Sequence, residues 1–146
     1  MHNSAPVWTE GIPVVKLQSQ FKGEQLDFVC LKDAKTLVNL SCGPGPNPGP
    51  MQLILCAVAT CPMVDMIDAL KGAEFSGLRC DVSGQRSATI KGRPWERIHL
   101  EFHVNSKSLT DAAFLDMAHK ALENSGVPTT LAGGPAKITV AAIVGK

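Results

Sequence analysis

Tyrosine is absent from the sequence, and aromatic residues make up only 5% of its 146 residues. Neither charge dominates, because 14 basic and 13 acidic residues leave a formal net charge of +1. Nucleic-acid-binding domains usually carry a basic excess, and single-strand binders add aromatic side chains on which bases stack. We therefore predict no nucleic-acid partner.

Residues 1–11 contain no apolar core segment, so we expect no secretory leader. Its most apolar stretch, Met51 to Val64, is shorter than the roughly 20 residues that a membrane-spanning helix needs. We therefore predict a cytoplasmic protein without a membrane partner.

A disulfide scaffold is excluded by the cysteine count, which is five and therefore odd. The sequence contains no C-x-x-C pair and no histidine at zinc-finger spacing from a cysteine, so we predict no metal and no cofactor. Most of the cysteines are expected to be buried as small hydrophobic residues with free thiols. The five are Cys30, Cys42, Cys56, Cys61 and Cys80.

What the sequence does contain is enough apolar residues, 45%, for one domain over residues 1–146. The N-terminal part, residues 1–49, predicts three short antiparallel strands separated by turns. These strands are Val14–Gln18, Leu26–Leu31 and Thr36–Leu40. The Pro/Gly-rich segment 43–50 then predicts a rigid loop, because proline is incompatible with a helix interior or a central strand.

Residues 51–71 predict a buried central helix. Pro50 suits its first turn, where no backbone N–H is needed, and Gly72 can end it. Pro62 removes one helical hydrogen bond, so the helix is expected to kink or restart there.

Residues 78–146 predict a β-β-α-β arrangement. Alternating apolar residues indicate a half-buried strand over Arg97–Val104, and Ser108 or Thr110 can cap the following helix. The other elements are a strand at Leu78–Ser83, a helix at Asp111–Glu123 stopped by Gly126 and Pro128, and a strand at Ile138–Val144; Ala112, Leu115, Ala118 and Leu122 form the helix's apolar stripe. The whole order predicts an α+β fold with a long helix against an antiparallel sheet.

Two features could carry chemistry. His99, Glu101 and His103 share one strand face, but the two histidines would lie roughly 13 Å apart, so one ion could not bind both. A metal there would need a third ligand from elsewhere, and the simpler interpretation is a solvated face.

Cys61 is the better candidate, because a helix restarting at Pro62 would aim free N–H groups at its sulfur and favour the thiolate. Asp65, one turn later, would oppose ionisation of the thiol. The alternative is that Cys61 is a buried, inert cysteine next to a proline that kinks the helix.

The segment Asn47-Pro48-Gly49-Pro50-Met51-Gln52-Leu53 followed by Cys61 resembles the N/S-P-x-E-L…A-A-x-x-C segment of the OsmC/Ohr family. The later strand, helix and terminal strand also follow the family's order, over roughly residues 44–146. The resemblance implies an OsmC-like α+β fold, with an antiparallel sheet wrapped around a long central helix, in an intertwined homodimer with two sites at the subunit interface. It also implies thiol-dependent reduction of organic hydroperoxides or hydrogen peroxide in oxidative-stress defence, with an external thiol as reductant.

The family's catalytic residues carry over only in part. Cys61 matches the attacking cysteine, whereas the position of the second cysteine is Gly126. The expected glutamate corresponds to Gln52 or Met51, so these three residues are predicted to line the site without reacting. The expected arginine has no counterpart before Arg79, and Lys16 is the nearest cation.

Three functions remain open from the sequence. The first is a divergent, single-cysteine peroxide reductase. The second is a catalytically degenerate relative that binds a small apolar or electrophilic ligand at the dimer interface. The third is a purely structural stress protein.

Overall fold

The computed structural model describes residues 15–146. The chain divides into two compact units, residues 1–50 and 51–146, which are described in turn. The single domain over residues 1–146 stays a prediction. The elements are β1 (Gln18–Phe21), β2 (Asp27–Lys32), β3 (Lys35–Ser41), α1 (Pro50–Ala69), β4 (Ser76–Arg86), β5 (Trp95–Asn105), α2 (Asp111–Asn124), α3 (Gly126–Ala132) and β6 (Lys137–Gly145).

The first unit contains an antiparallel sheet in the order β1-β2-β3, as predicted. Asp33 and Ala34 join β2 to β3 with φ values of 51° and 63°, the backbone of a tight two-residue hairpin turn. The predicted first strand was misplaced, since β1 begins at Gln18; Val14 lies outside the described residues. Phe21 pairs with Phe28 on β2, with ring centroids 5.5 Å apart, and this contact places β1 later in the sequence than the predicted strand Val14–Gln18.

The second unit begins with α1, which continues unbroken through Pro62. The predicted restart of the helix at this proline is therefore wrong. An interior proline costs about 3 kcal/mol in a helix. Here the ring is fully buried one turn after Val58, so its packing offsets the lost hydrogen bond.

The second sheet has the order β4-β5-β6. Strands β4 and β5 are antiparallel, but β5 and β6 are parallel, so the prediction of a wholly antiparallel sheet is wrong. The reason is the connection between β5 and β6, because it contains α2 and α3 and a helical crossover returns the chain in the same direction. On β5 the predicted alternation is confirmed, with Ile98, Leu100, Phe102 and Val104 each at most 1% exposed.

Thr110 caps the N-terminus of helix α2, and its hydroxyl accepts a hydrogen bond from the Ala113 N–H over 3.1 Å. The helix buries Phe114, Ala118 and Ala121, whereas Ala112 of the predicted stripe is exposed. The predicted end of this helix is confirmed, since α2 stops at Asn124 just before Gly126, but the sequence did not predict α3, which begins at Gly126 with Pro128 in its first turn. Proline is tolerated in a first helical turn, where its missing N–H has no partner to lose.

The core of the second unit combines α1, β5 and α2, with Met66, Leu70, Phe102 and Phe114 among its fully buried side chains. Most of α1 lies outside this core, because only 22% of its most apolar window is buried. The predicted burial of the helix is therefore wrong for the single chain. With 20 residues, α1 is also long and apolar enough to cross a membrane by length and composition, a test that core helices of soluble proteins pass as well.

Candidate functional site

Cys61 lies near the middle of α1, with a free and partly buried thiol. Because the helix is unbroken, Cys61 is not an N-cap, and the predicted cradle of free N–H groups around its sulfur is absent from this part of the described chain. Its neighbours along the helix are the buried side chains Val58 and Pro62. The thiol thus sits at the edge of an apolar region and remains open on one side.

One turn after Cys61, Asp65 connects α1 to the junction between α2 and α3. The Ser125 hydroxyl lies 3.0 Å from Asp65 Oδ2 and donates to it, and Ser125 is only 3% exposed. Asp65 is otherwise exposed to water. Sequence reasoning missed this contact, because a serine before a glycine indicates a turn but not its distant partner.

Gly126 follows Ser125 directly and forms the first residue of α3. A side chain built at this position would meet no atom within 4 Å. A side chain at the position where the resemblance expects a second cysteine would therefore meet no neighbouring atom. The preceding residue, Ser125, contacts Asp65, which lies one helical turn after Cys61.

Met51 and Gln52 lie in the first turn of α1, far from Cys61 within one chain. Nine to ten residues of helix correspond to roughly 14–15 Å along the axis. The Met51 carbonyl accepts a hydrogen bond from Trp95 Nε1 at 3.0 Å, which fixes the start of the helix against β5. The structure therefore does not bring these two predicted site residues to Cys61 within a single chain.

The remaining cysteines differ from Cys61 in their surroundings. None of the five is fully buried and all are free, so the prediction of buried packing cysteines is wrong while the prediction of free thiols is confirmed. Burial, reinforced by the charge of Asp81, raises the pKa of the Cys80 thiol to about 11. Cys80 is therefore protonated, and a poor nucleophile, at neutral pH.

Cys56 is exposed on α1, five residues before Cys61. On this unbroken helix their Cα atoms are about 8.6 Å apart. That exceeds the roughly 7 Å limit for a disulfide, so Cys56 cannot bond to Cys61 in the same chain without backbone movement.

The model of the OsmC-like protein family matches residues 43–141, a segment that contains all of α1, the second sheet up to β6, and both later helices. This chain belongs to the OsmC-like family. No functionally curated protein matches the sequence significantly.

Solved structures of OsmC-like proteins share the fold. An OsmC-like protein from Mycoplasma pneumoniae matches with a TM-score of 0.74 and 18% identity, over 90% of this chain and 99% of that chain. An organic hydroperoxide resistance protein from Legionella pneumophila matches with a TM-score of 0.63 and 14% identity, over 92% and 100% of the two chains. The corresponding protein OhrB of Bacillus subtilis matches with a TM-score of 0.59 and 13% identity, over 88% and 98%. At these identities the likeness shows the fold alone.

Proposed function

We propose that this OsmC-like protein reduces organic hydroperoxides or hydrogen peroxide through a single reactive cysteine, Cys61. The observation that carries the proposal is a free, partly buried thiol in the middle of an apolar helix, within the segment that matches the family. Relatives of the same fold that are named organic hydroperoxide resistance proteins support the substrate class.

The chemistry needs one thiolate and an external thiol. The Cys61 thiolate attacks the terminal peroxide oxygen, the O–O bond breaks, and the alkoxide leaves and takes up a proton to give an alcohol. Cys61, now a sulfenic acid, condenses with an external thiol to form a mixed disulfide and water. A second thiol displaces Cys61 as a thiol and leaves with the first as a disulfide, so the two thiols supply both electrons.

We propose that the protein works as a homodimer in the cytoplasm, where external thiols are kept reduced. The support comes from the uncovered apolar surface of α1, on which Val64 is 65% exposed and Ile67 is 47% exposed. Apart from Asp65 and Asp68 in its second half, α1 carries no charge, and a helix that is apolar over most of its surface is normally buried. A second copy would cover it, and would be the means of bringing Met51 and Gln52 of one chain near Cys61 of the other.

Hydroperoxide consumption with a dithiol reductant tests the activity. We expect Cys61→Ser to reduce the rate to that measured without protein, because serine cannot form the sulfenic acid. Cys56→Ser on the same helix is the matched control and should keep the wild-type rate. If Cys61→Ser retained activity, the proposed function would be wrong.

A second candidate is a degenerate relative that binds a small apolar or electrophilic ligand. A cavity of about 490 Å³ near Cys61 favours it, with an apolar part lined by Ala69, Met117 and Ala121 and a charged part lined by Asp65, Asp116 and Lys120. Binding of a fatty-acid-like probe that survives Cys61→Ser, in a protein with no peroxide turnover, would select this function over the first.

A further inference from the structure

The second sheet places three metal-binding side chains together on the face opposite its apolar core. They are Asp81 of β4 and Glu101 and His103 of β5, and one ligand atom from each lies within 4.8 Å of the others. His103 Nε2 is 2.7 Å from Glu101 Oε1 and 3.4 Å from Asp81 Oδ2. The cluster therefore converges on one point, the Nε2 of a histidine whose side chain is only 17% exposed.

Strand pairing produces this arrangement. Asp81 lies directly opposite Glu101 in the antiparallel β4–β5 pair, and His103 is two residues further along β5 on the same face. Residues opposite each other or two apart on one face are neighbours in a sheet. From the sequence alone, a metal at Glu101 and His103 needs a third ligand from elsewhere, and strand pairing places Asp81 beside them.

We propose that Asp81, Glu101 and His103 bind a divalent first-row transition-metal ion, of which Zn²⁺ fits the donor set best. Around a tetrahedral zinc ion, with ligands at about 2.0–2.1 Å, neighbouring donor atoms are about 3.3 Å apart. The distances from His103 Nε2 to the two carboxylate oxygens, 2.7 Å and 3.4 Å, lie on either side of that value. One imidazole and two carboxylates fill three positions and leave the fourth to water, since the face is open to solvent.

Arg79 is the competing group. Its Nε lies 3.5 Å from Asp81 Oδ1, whereas Oδ2 is the oxygen directed at His103, so the carboxylate can serve both cations through different atoms. The Arg79 side chain is 60% exposed and free to turn towards water. Removing its positive charge should strengthen metal binding, because like charges repel.

His99 provides a matched control on the same strand face. Its Nδ1 is 2.7 Å from Thr139 Oγ1, and the residue lies four positions before His103, roughly 13 Å away along the strand. The proposed site therefore needs His103 and not His99.

The test is titration of the metal-free protein with Zn²⁺, together with Co²⁺ absorption to report the ligand type. We expect one ion per chain, Co²⁺ bands without the intense charge-transfer absorption that thiolate ligands give, at least a tenfold weaker affinity in Asp81→Asn and His103→Gln, and a stronger affinity in Arg79→Ala. His99→Gln should bind as the wild type does.

Three results would overturn the proposal. They are no binding, thiolate bands that assign the ion to the cysteines, or an affinity unchanged in Asp81→Asn. Because Asp81 is 61% exposed, its replacement by asparagine tests the site even if His103→Gln fails to fold. The metal site does not include Cys61, so a protein that bound no metal could still act as a peroxidase.

Discussion

Helices α1 and α2 belong to the same unit but follow opposite designs. Helix α2 buries Phe114, Ala118 and Ala121 and presents charges to water, including the Asp116–Lys120 pair at 2.8 Å. Helix α1 has no charged residue before Asp65, contains Pro62, and leaves Val64 and Ile67 exposed next to Asp68, which pairs with Lys71 at 2.6 Å. Only α2 is fully explained by the core of its own chain.

The exposed apolar surface of α1, compared with the buried apolar face of α2, indicates that α1 takes part in an interface. An apolar helix that its own chain leaves largely uncovered is unfavourable in water, at about 25 cal/mol for each Å² of apolar surface. Covering that surface with a second copy would remove this cost and enclose the Cys61 region. The exposed apolar side chains of α1 are unfavourable on a monomer, but they are suited to an interface that would enclose the Cys61 thiol. The following three predictions test the contrast between the helices.

The largest expected effect is on the stability of the α2 side. Phe114→Ala removes a fully buried ring, so the free energy of unfolding should fall by about 3–5 kcal/mol. Val64→Ala on the exposed surface of α1 should cost less than about 1 kcal/mol in the unfolding of the single chain. Urea denaturation at low protein concentration measures the free energy of unfolding of both variants. Equal losses would contradict the difference between the buried face of α2 and the exposed face of α1.

The second prediction concerns assembly. Ile67→Glu places an unpaired charge on the apolar surface of α1, which should weaken the proposed dimer by about 3 kcal/mol, or roughly a hundredfold in its dissociation constant. Ile90→Glu is the control, because Ile90 is 45% exposed, close to the 47% of Ile67, but lies outside α1. Light scattering over a concentration series measures the change. A monomeric wild type, or equal behaviour of the two variants, would refute a dimer through α1.

The smallest expected effect is at the start of α2. Thr110→Ala removes the hydroxyl that accepts the Ala113 N–H, so the free energy of unfolding should fall by about 1 kcal/mol. Ser108, the other residue that the sequence offered as a cap, is the control, and Ser108→Ala should cost less than about 0.5 kcal/mol. The reverse order in thermal unfolding would show that the cap is assigned to the wrong residue.

The sequence predicted most elements, because their signals are local. The alternation on β5 and the Thr110 cap of α2 depend on neighbouring residues alone. It did not predict α3 or the parallel pairing of β6, since both depend on how the chain returns after α2. It also mistook Pro62 for a break, because the burial that stabilises an interior proline comes from tertiary packing.

The candidate site could be predicted only in part. Cys61 as the reacting thiol rests on the family resemblance of its own segment and stays a prediction, whereas the N-cap expected at Pro62 is not formed. The contact between Asp65 and Ser125 joins residues 60 positions apart, and Asp81 meets His103 only through strand pairing. Single-sequence reasoning has no access to such pairs, because nothing in either segment specifies the other.

The central claim is that Cys61 is the thiol that reacts with peroxide. Site-resolved mass spectrometry after one equivalent of an aromatic organic hydroperoxide, with a sulfenic-acid trap present, tests it most directly. We expect trapped sulfenic acid at Cys61, with Cys80 remaining a thiol at neutral pH because its pKa is raised to about 11. An unmodified Cys61, or oxidation spread over the exposed Cys42 and Cys56 instead, would contradict the account.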